Sequence, residues 1–277
     1  MTEEGVPTER TEAAGLDAGL GPLSRDDFLG GRLRLWQPVN GYRAAIDPVL
    51  LAAFVAAAPG ERVLELGCGA GIASLCLAAR VSGLTLRGLE LQPGYAALAR
   101  RNAAENGLAL DVCEGDLRRP PAALRALGFH QVLANPPFHP AGAVTPPDDP
   151  GRDRAHREEA TLADWIACGL RRLLPGGRLT LIHRAERLGA ILAAVEGAAG
   201  AVEILPVAPR SGAAAARVLV RCRKGSAAPL TLLPPLILHR GASHAEDDGA
   251  YAAEPEAILR EGAALSRGAG PADRSFL

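Results

Sequence analysis

The sequence predicts an α/β protein: a mostly parallel sheet of seven strands, one of them antiparallel, with helices on both faces. Three observations predict it. From Glu61 onward, short apolar runs alternate with helical segments, the pattern of successive βα units. Within that pattern, Val63-Leu64-Glu65-Leu66-Gly67-Cys68-Gly69-Ala70-Gly71 leads an apolar strand into a glycine-rich turn, and an apolar segment over 72–79 follows. That reads as strand, tight turn and helix. The last two strands have no clear helix between them, so they pair as a hairpin and reverse one strand.

Each element follows in order. Residues 1–24 mix Glu, Gly, Thr and Pro without periodicity and read as a disordered lead-in. Residues 25–60 read as a hairpin and a helix that cover the site. The alternation Leu33-Arg34-Leu35-Trp36 marks a hairpin lying outside the main core. Asp47-Pro48 starts a helix, with Asp47 as N-cap and Pro48 in the first turn, and Pro59-Gly60 ends it. Residues 61–240 form the main domain. Its strands are read at 62–66, 84–90, 109–114, 131–134, 177–182, 202–207 and 217–222, and its helices at 72–81, 94–106, 122–127, 162–173 and 187–195. The proline-rich stretch 136–150 is too long for an ordinary connection and reads as a substrate loop. The proline-broken segment 230–238 packs on the sheet or forms an edge. Residues 241–277 are a tail with one short helix, 256–265.

Composition narrows the function. The chain has 277 residues and a formal net charge of −1, so it lacks the global basic signature of a nucleic-acid binder, although a local patch is enough. Among 30 basic residues only Lys224 is lysine, so arginine frequency alone is not evidence for phosphate binding. The five cysteines, Cys68, Cys76, Cys113, Cys168 and Cys222, are scattered and form no C-x-x-C, which gives no disulfide framework and no zinc spacing. The N-terminus carries Glu3, Glu4 and Glu9 and no apolar signal core, and no apolar run reaches membrane length. We expect a cytoplasmic protein without a membrane partner, a monomer or weak dimer. His130, His139 and His183 show no ligand spacing such as H-E-x-x-H, so no metal is expected.

The chemistry sits where strands end. Glu65 lies inside a strand end, just before the glycine turn, where a carboxylate would repel a pyrophosphate. It suits a cationic ligand, such as the amino group or sulfonium of S-adenosylmethionine. The spacing G-x-G-x-G also departs from the G-x-G-x-x-G of dinucleotide binders. The next strand ends in Glu90, suited to ribose hydroxyls, and the third in Gly115-Asp116, near an adenine. The fourth ends in Asn135-Pro136-Pro137-Phe138. Two prolines stop that strand abruptly and leave the Pro136 carbonyl without a ladder partner. The Asn135 side-chain oxygen and that carbonyl can accept both hydrogens of a planar NH2 group, on which Phe138 can stack.

The glycine turn with Asn135-Pro136-Pro137-Phe138 resembles class I S-adenosylmethionine-dependent methyltransferases that modify exocyclic or amide nitrogens. Gly41-Tyr42-Arg43-Ala44-Ala45-Ile46-Asp47-Pro48, Pro209-Arg210-Ser211-Gly212 and Ala216-Arg217-Val218-Leu219-Val220 narrow the likeness to the bacterial tRNA(Val) adenine-N6 methyltransferase family. That resemblance implies the Rossmann-like class I fold, S-adenosylmethionine as cofactor, and methylation of the adenosine next to the anticodon. It implies cofactor contacts at Glu65, Gly67, Cys68, Gly69, Gly71, Glu90, Leu91, Asp116, Leu117 and Asn135, with Arg43 and Asp47 over the cofactor's amino-acid end. The target base would lie at Asn135, Pro136, Pro137 and Phe138. With tRNA (its anticodon stem-loop) as partner, Arg152, Arg154 and Arg157 and the strand residues Arg217, Arg221, Arg223 and Lys224 are candidate phosphate contacts. Protein-glutamine and ribosomal guanine-N2 methyltransferases are alternatives with the same mechanics, and a non-catalytic docking module is an alternative of another class.

Overall fold

Leu33 and Leu35 decide where the N-terminal hairpin goes. The computed structural model describes residues 19–40, 43–138, 160–241 and 250–265. Strands β1 (Leu23–Phe28) and β2 (Leu33–Pro38) pair antiparallel. Leu33, Leu35 and Trp36 are buried in the same apolar cluster as the first helices of the main domain. The hairpin is therefore part of the main core, not outside it as the sequence suggested. The alternation puts one apolar row inward, and that row gains stability only against a larger apolar face.

Helix α1 (Asp47–Phe54) follows, with Pro48 in its first turn. The N-cap is Ile46, not Asp47, and no side chain caps the helix. The Asp47 carboxylate is drawn instead to Arg217. Every residue from Pro48 to Phe54 is buried, so α1 is a core helix, apolar all round.

The βα units then run as read, with small shifts of boundary: β3 (Arg62–Leu66), α2 (Ile72–Arg80), β4 (Thr85–Glu90), α3 (Pro93–Glu105), β5 (Asp111–Glu114), α4 (Ala122–Arg125) and β6 (Phe129–Ala134). After the proline-rich stretch come α5 (Leu162–Arg172), β7 (Leu173–Arg184), α6 (Leu188–Val195), β8 (Ala199–Ala208) and β9 (Arg217–Lys224). Thr161 and Asp164 form a reciprocal capping box at the start of α5.

The sheet order is β10-β8-β9-β7-β6-β3-β4-β5, where β10 (Thr231–Leu232) and β11 (Leu236–Ile237) both add to β8. β9 runs antiparallel to β7 and β8, and the other pairings are parallel. The seven expected strands are all present. The proline-broken segment supplies two further dipeptide strands at the edge, where a missing backbone donor costs least. The chain builds outward from β3 through β4 to β5, then returns to place β6 on the other side of β3. The reversal point lies between β3 and β6, where open α/β sheets bind ligands.

Alternating residues cover both faces. Leu133, Ile182 and Leu219 pack with α1, α2, α3 and the hairpin. Val132, Leu181 and Val220 pack with α4, α5 and α6. The tail helix α7 (Ala253–Glu256) continues as a wider turn through Glu261 and stops at Gly262, whose φ of 67° reverses the chain. Ile258 and Leu265 are buried, and the Leu265 N–H donates to the Ala53 carbonyl at 2.9 Å, so this segment seals α1. Among the described residues no helix is long and apolar enough to cross a membrane, and no cluster of side chains has the makings of a metal site.

Candidate active site

The turn after β3 holds Gly67, Gly69 and Gly71 at φ of 59°, 53° and 84°, which is left-handed backbone that favours glycine. Nothing lies within 4 Å of where a Cβ on Gly69 would sit, while one on Gly67 would collide with the Trp165 ring from α5. The Gly71 N–H donates to the Cys68 carbonyl at 2.8 Å, and the Cys68 N–H to the Leu89 carbonyl at 3.1 Å. The turn is thereby pinned to β4. Cys68 faces the sheet, where a Cβ on Gly88 would lie 2.5 Å from its sulfur. Cys68 is buried and its thiol pKa is raised by that burial, so at this position the backbone is what a ligand can meet.

Two carboxylates close the strand ends. Glu65 is 4 % exposed, and its Oε2 accepts from the Ser74 N–H at 2.9 Å and the Ser74 hydroxyl at 2.5 Å. Burial pushes its pKa up to about 8, against the pull of the Ser74 bonds and with a smaller push from Glu90. Glu90 accepts from the Gly69 N–H at 2.8 Å and the Gln92 N–H at 2.9 Å. Neither carboxylate has an ion pair among the described residues. Two buried acids without a cation, beside an open glycine turn, fit a ligand carrying a cationic centre and hydroxyls. These residues fit S-adenosylmethionine.

The remaining predicted residues divide. Leu91 is 62 % exposed just beyond Glu90, whereas Leu117 is buried in the core. Asp116 turns to Arg118, whose side chain donates at 2.6–3.1 Å and holds the carboxyl below its ordinary range. Arg43 donates to Asp26 at 2.7 Å, Ser24 at 2.6 Å and the Pro38 carbonyl at 3.0 Å, so it braces the hairpin.

Strand β6 ends at Ala134 as read, and Asn135-Pro136-Pro137-Phe138 follows outside the ladder. The register Leu66↔Ala134 sets Asn135 next to Gly67 across the reversal point. Phe138 meets His183 edge-on, with ring centres 5.3 Å apart, and the Arg217 guanidinium lies 4.5 Å over the Phe138 ring. Arg217 is held in turn by Asp47 at 3.1 Å. His183 is buried, and burial first, then Arg187, Arg217 and Arg184, lowers its pKa to about 4. It is a neutral ring at pH 7, with Nδ1 accepting from the Arg184 N–H at 2.8 Å.

Sequence reasoning missed His183 and Trp165, and it missed Arg217 as a partner of Phe138. Their place depends on strand order: Arg184↔Arg217 pairing brings the ends of β7 and β9 beside β6. Along β9, Arg217 and Arg221 are neutralised within the chain, by Asp47 and Glu203, and Arg221 also donates to the Phe54 carbonyl at 2.7 Å, whereas among the described residues Arg223 and Lys224 donate only to the Gly176 and Leu173 carbonyls. Arg152, Arg154 and Arg157 lie outside the described residues.

A parallel sheet with one reversed strand, an acid before a glycine turn, and Asn-Pro-Pro-Phe across the reversal point define a class I S-adenosylmethionine-dependent methyltransferase. The family model described as methyltransferase small domain matches residues 46–203. A protein of Porphyromonas gingivalis named tRNA1(Val) (adenine(37)-N6)-methyltransferase is 32% identical over 177 residues, which cover 60% of this chain and 68% of that protein. A solved structure of a predicted O-methyltransferase from Agrobacterium tumefaciens is 31% identical, covers 80% of this chain and 99% of its own, and superposes with a TM-score of 0.64. The Thermus thermophilus 16S rRNA N2 G1207 methyltransferase, solved with AdoMet and guanosine, shares the fold at 19% identity and a TM-score of 0.52, over 73% of this chain and 50% of that one. The chain belongs to the methyltransferase small domain family and, within it, to the tRNA1(Val) adenine-N6 methyltransferase family.

Proposed function

We propose that this chain transfers a methyl group from S-adenosylmethionine to the N6 nitrogen of an adenine beside the anticodon of a tRNA. The observation that carries this reading is the juxtaposition of Asn135-Pro136-Pro137-Phe138 with the Gly67–Gly71 turn at the reversal point of the sheet. The adenine and tRNA come from the named relative. When bound, S-adenosylmethionine supplies an electrophilic methyl group. Glu65 and Glu90 would hold its amino and ribose groups, Gly69 would leave it open space while Gly67 and Gly71 keep the turn tight, and Leu91 and Asp116 would flank its adenine. The Asn135 side-chain oxygen and the Pro136 carbonyl accept the two N6 hydrogens and aim the nitrogen lone pair. Phe138, fixed by Arg217 and His183, stacks on the base. Catalysis would be positioning, and the surplus N6 proton would pass to solvent water after transfer, so no strong base is required.

The test is methyl transfer from labelled S-adenosylmethionine to an unmodified tRNA transcript. Asn135→Ala lowers turnover by about 10²-fold or more, the cost of a lost orienting contact, and leaves cofactor affinity within about threefold (roughly 0.7 kcal/mol). Full activity of that variant would remove Asn135 from the mechanism.

A further inference from the structure

Arg118 and Arg119 after β5, Arg125 on α4, and Arg171 and Arg172 on α5 line one cavity of about 680 Å³ with Cys168. The chain's net charge is −1, so five guanidinium groups around one cavity are a local concentration of positive charge. Elsewhere many arginines pair with acids, as in Arg43–Asp26, Arg87–Asp111, Arg100–Glu114 and Arg221–Glu203, while others, such as Arg80 and Arg223, donate to backbone carbonyls. In this cavity only Arg118 is so matched, to Asp116. Arg172 donates to the Arg125 carbonyl at 2.6 Å, which fixes its side chain without neutralising it. Arg119, Arg125 and Arg171 have no ion pair among the described residues. Asp164, the other nearby acid, is held by Thr161 in the α5 cap; it feels Arg118 and Arg171 but, among the described residues, forms no ion pair with them. Like charges gathered in a concave site are stabilised by a bound anion.

We propose that this groove binds the phosphodiester backbone of the substrate RNA. Its lining runs from the loop after β5, at the strand ends of the candidate site, along α4 and α5 to Arg125 and Arg172, where β6 and β7 begin. A single small anion needs two or three donors. Four forked donors without an acid partner among the described residues, Arg119 on the loop, Arg125 on α4 and Arg171 and Arg172 on α5, match successive phosphates. Cys168 is buried and contributes a neutral wall, since burial raises its thiol pKa against the pull of Arg171 and Arg172. The inference rests on the RNA reading above.

The experiment compares wild type with Arg119→Glu/Arg171→Glu and with Arg119→Lys/Arg171→Lys, all full-length. Binding of a fluorescent tRNA transcript is followed by anisotropy across a salt series, with S-adenosylmethionine affinity as the check on folding. The charge reversal weakens tRNA binding about tenfold or more and makes the salt dependence shallower by about two phosphate contacts. The lysine pair retains most of the affinity, and cofactor binding stays unchanged in both. Unchanged tRNA affinity and salt slope in the reversed variant overturn the groove. Inorganic tripolyphosphate is the comparison probe: if it alone loses affinity in the reversed variant, the site takes a free polyphosphate and the RNA assignment fails. Groove-dependent tRNA binding without adenine methylation would overturn the functional reading and keep the groove. Methylation with unchanged binding would overturn the groove alone.

Discussion

Glu65 was legible in the sequence as an acid before a glycine turn, because strand, turn and helix are contiguous there. Its protonation was not legible, because that depends on how deeply the folded chain buries it. With a folded pKa of about 8 against an ordinary 4.5, Glu65 is mostly protonated at pH 7 in the unliganded protein. The sign follows. A raised carboxyl pKa penalises the folded state as pH climbs from about 4.5 to about 8, since ionising the group in place costs more than in the unfolded chain. A cation beside Glu65 reverses that penalty and drives ionisation. S-adenosylmethionine binding at pH 7 is therefore expected to release close to one proton, read by calorimetry in buffers of different ionisation enthalpy. Binding heat that does not change with buffer would contradict it. Glu65→Gln removes the release, flattens the stability slope between pH 4.5 and 8, and weakens cofactor binding about tenfold or more (roughly 1.4 kcal/mol), as expected for loss of a charge-assisted contact.

Elements explain what the residues could not show. The break after β6 at Asn135-Pro136-Pro137-Phe138 was legible because two prolines at a strand end are a local signal. The partners of Phe138 come from β7 and β9, brought together by strand order that no short motif encodes. Arg217 joins α1, β9 and the segment after β6 through Asp47 and Phe138. Arg217→Lys keeps a cation near Asp47 but loses the flat guanidinium over the ring. It is expected to raise the KM for tRNA several-fold and to leave cofactor affinity unchanged; an unaltered KM would show that Phe138 needs no backing. Asn102 on α3 performs a different joining task. It is fully buried, accepts from the Trp36 N–H at 2.7 Å, and donates to the Trp36 and Ala70 carbonyls at 3.0 and 2.9 Å. Asn102→Leu strands three backbone groups and is expected to cost about 2–4 kcal/mol in urea unfolding. A loss below about 0.5 kcal/mol, the range of ordinary surface changes, would mean that the hairpin does not depend on it.

At the scale of the molecule, the alternation of strands and helices was enough to read a two-faced sheet with one reversed strand. The hairpin was misplaced because its burial comes from α2 and α3, far away in sequence. The edge strands were left open because prolines hide such short pairings. The tail helix was set too late because Leu265 is buried by contact with α1, not by helical periodicity. The resulting architecture puts the Gly67–Gly71 turn and Asn135-Pro136-Pro137-Phe138 at adjacent strand ends, with the arginine-lined cavity reaching the loop after β5. The central claim is that this arrangement methylates an adenine nitrogen in tRNA. The most direct measurement transfers labelled methyl groups into tRNA lacking the modification, digests the product, and resolves the nucleosides. Label in N6-methyladenosine is the predicted result. Label confined to ribosomal guanosine or to protein glutamine, with tRNA unmodified, would contradict it.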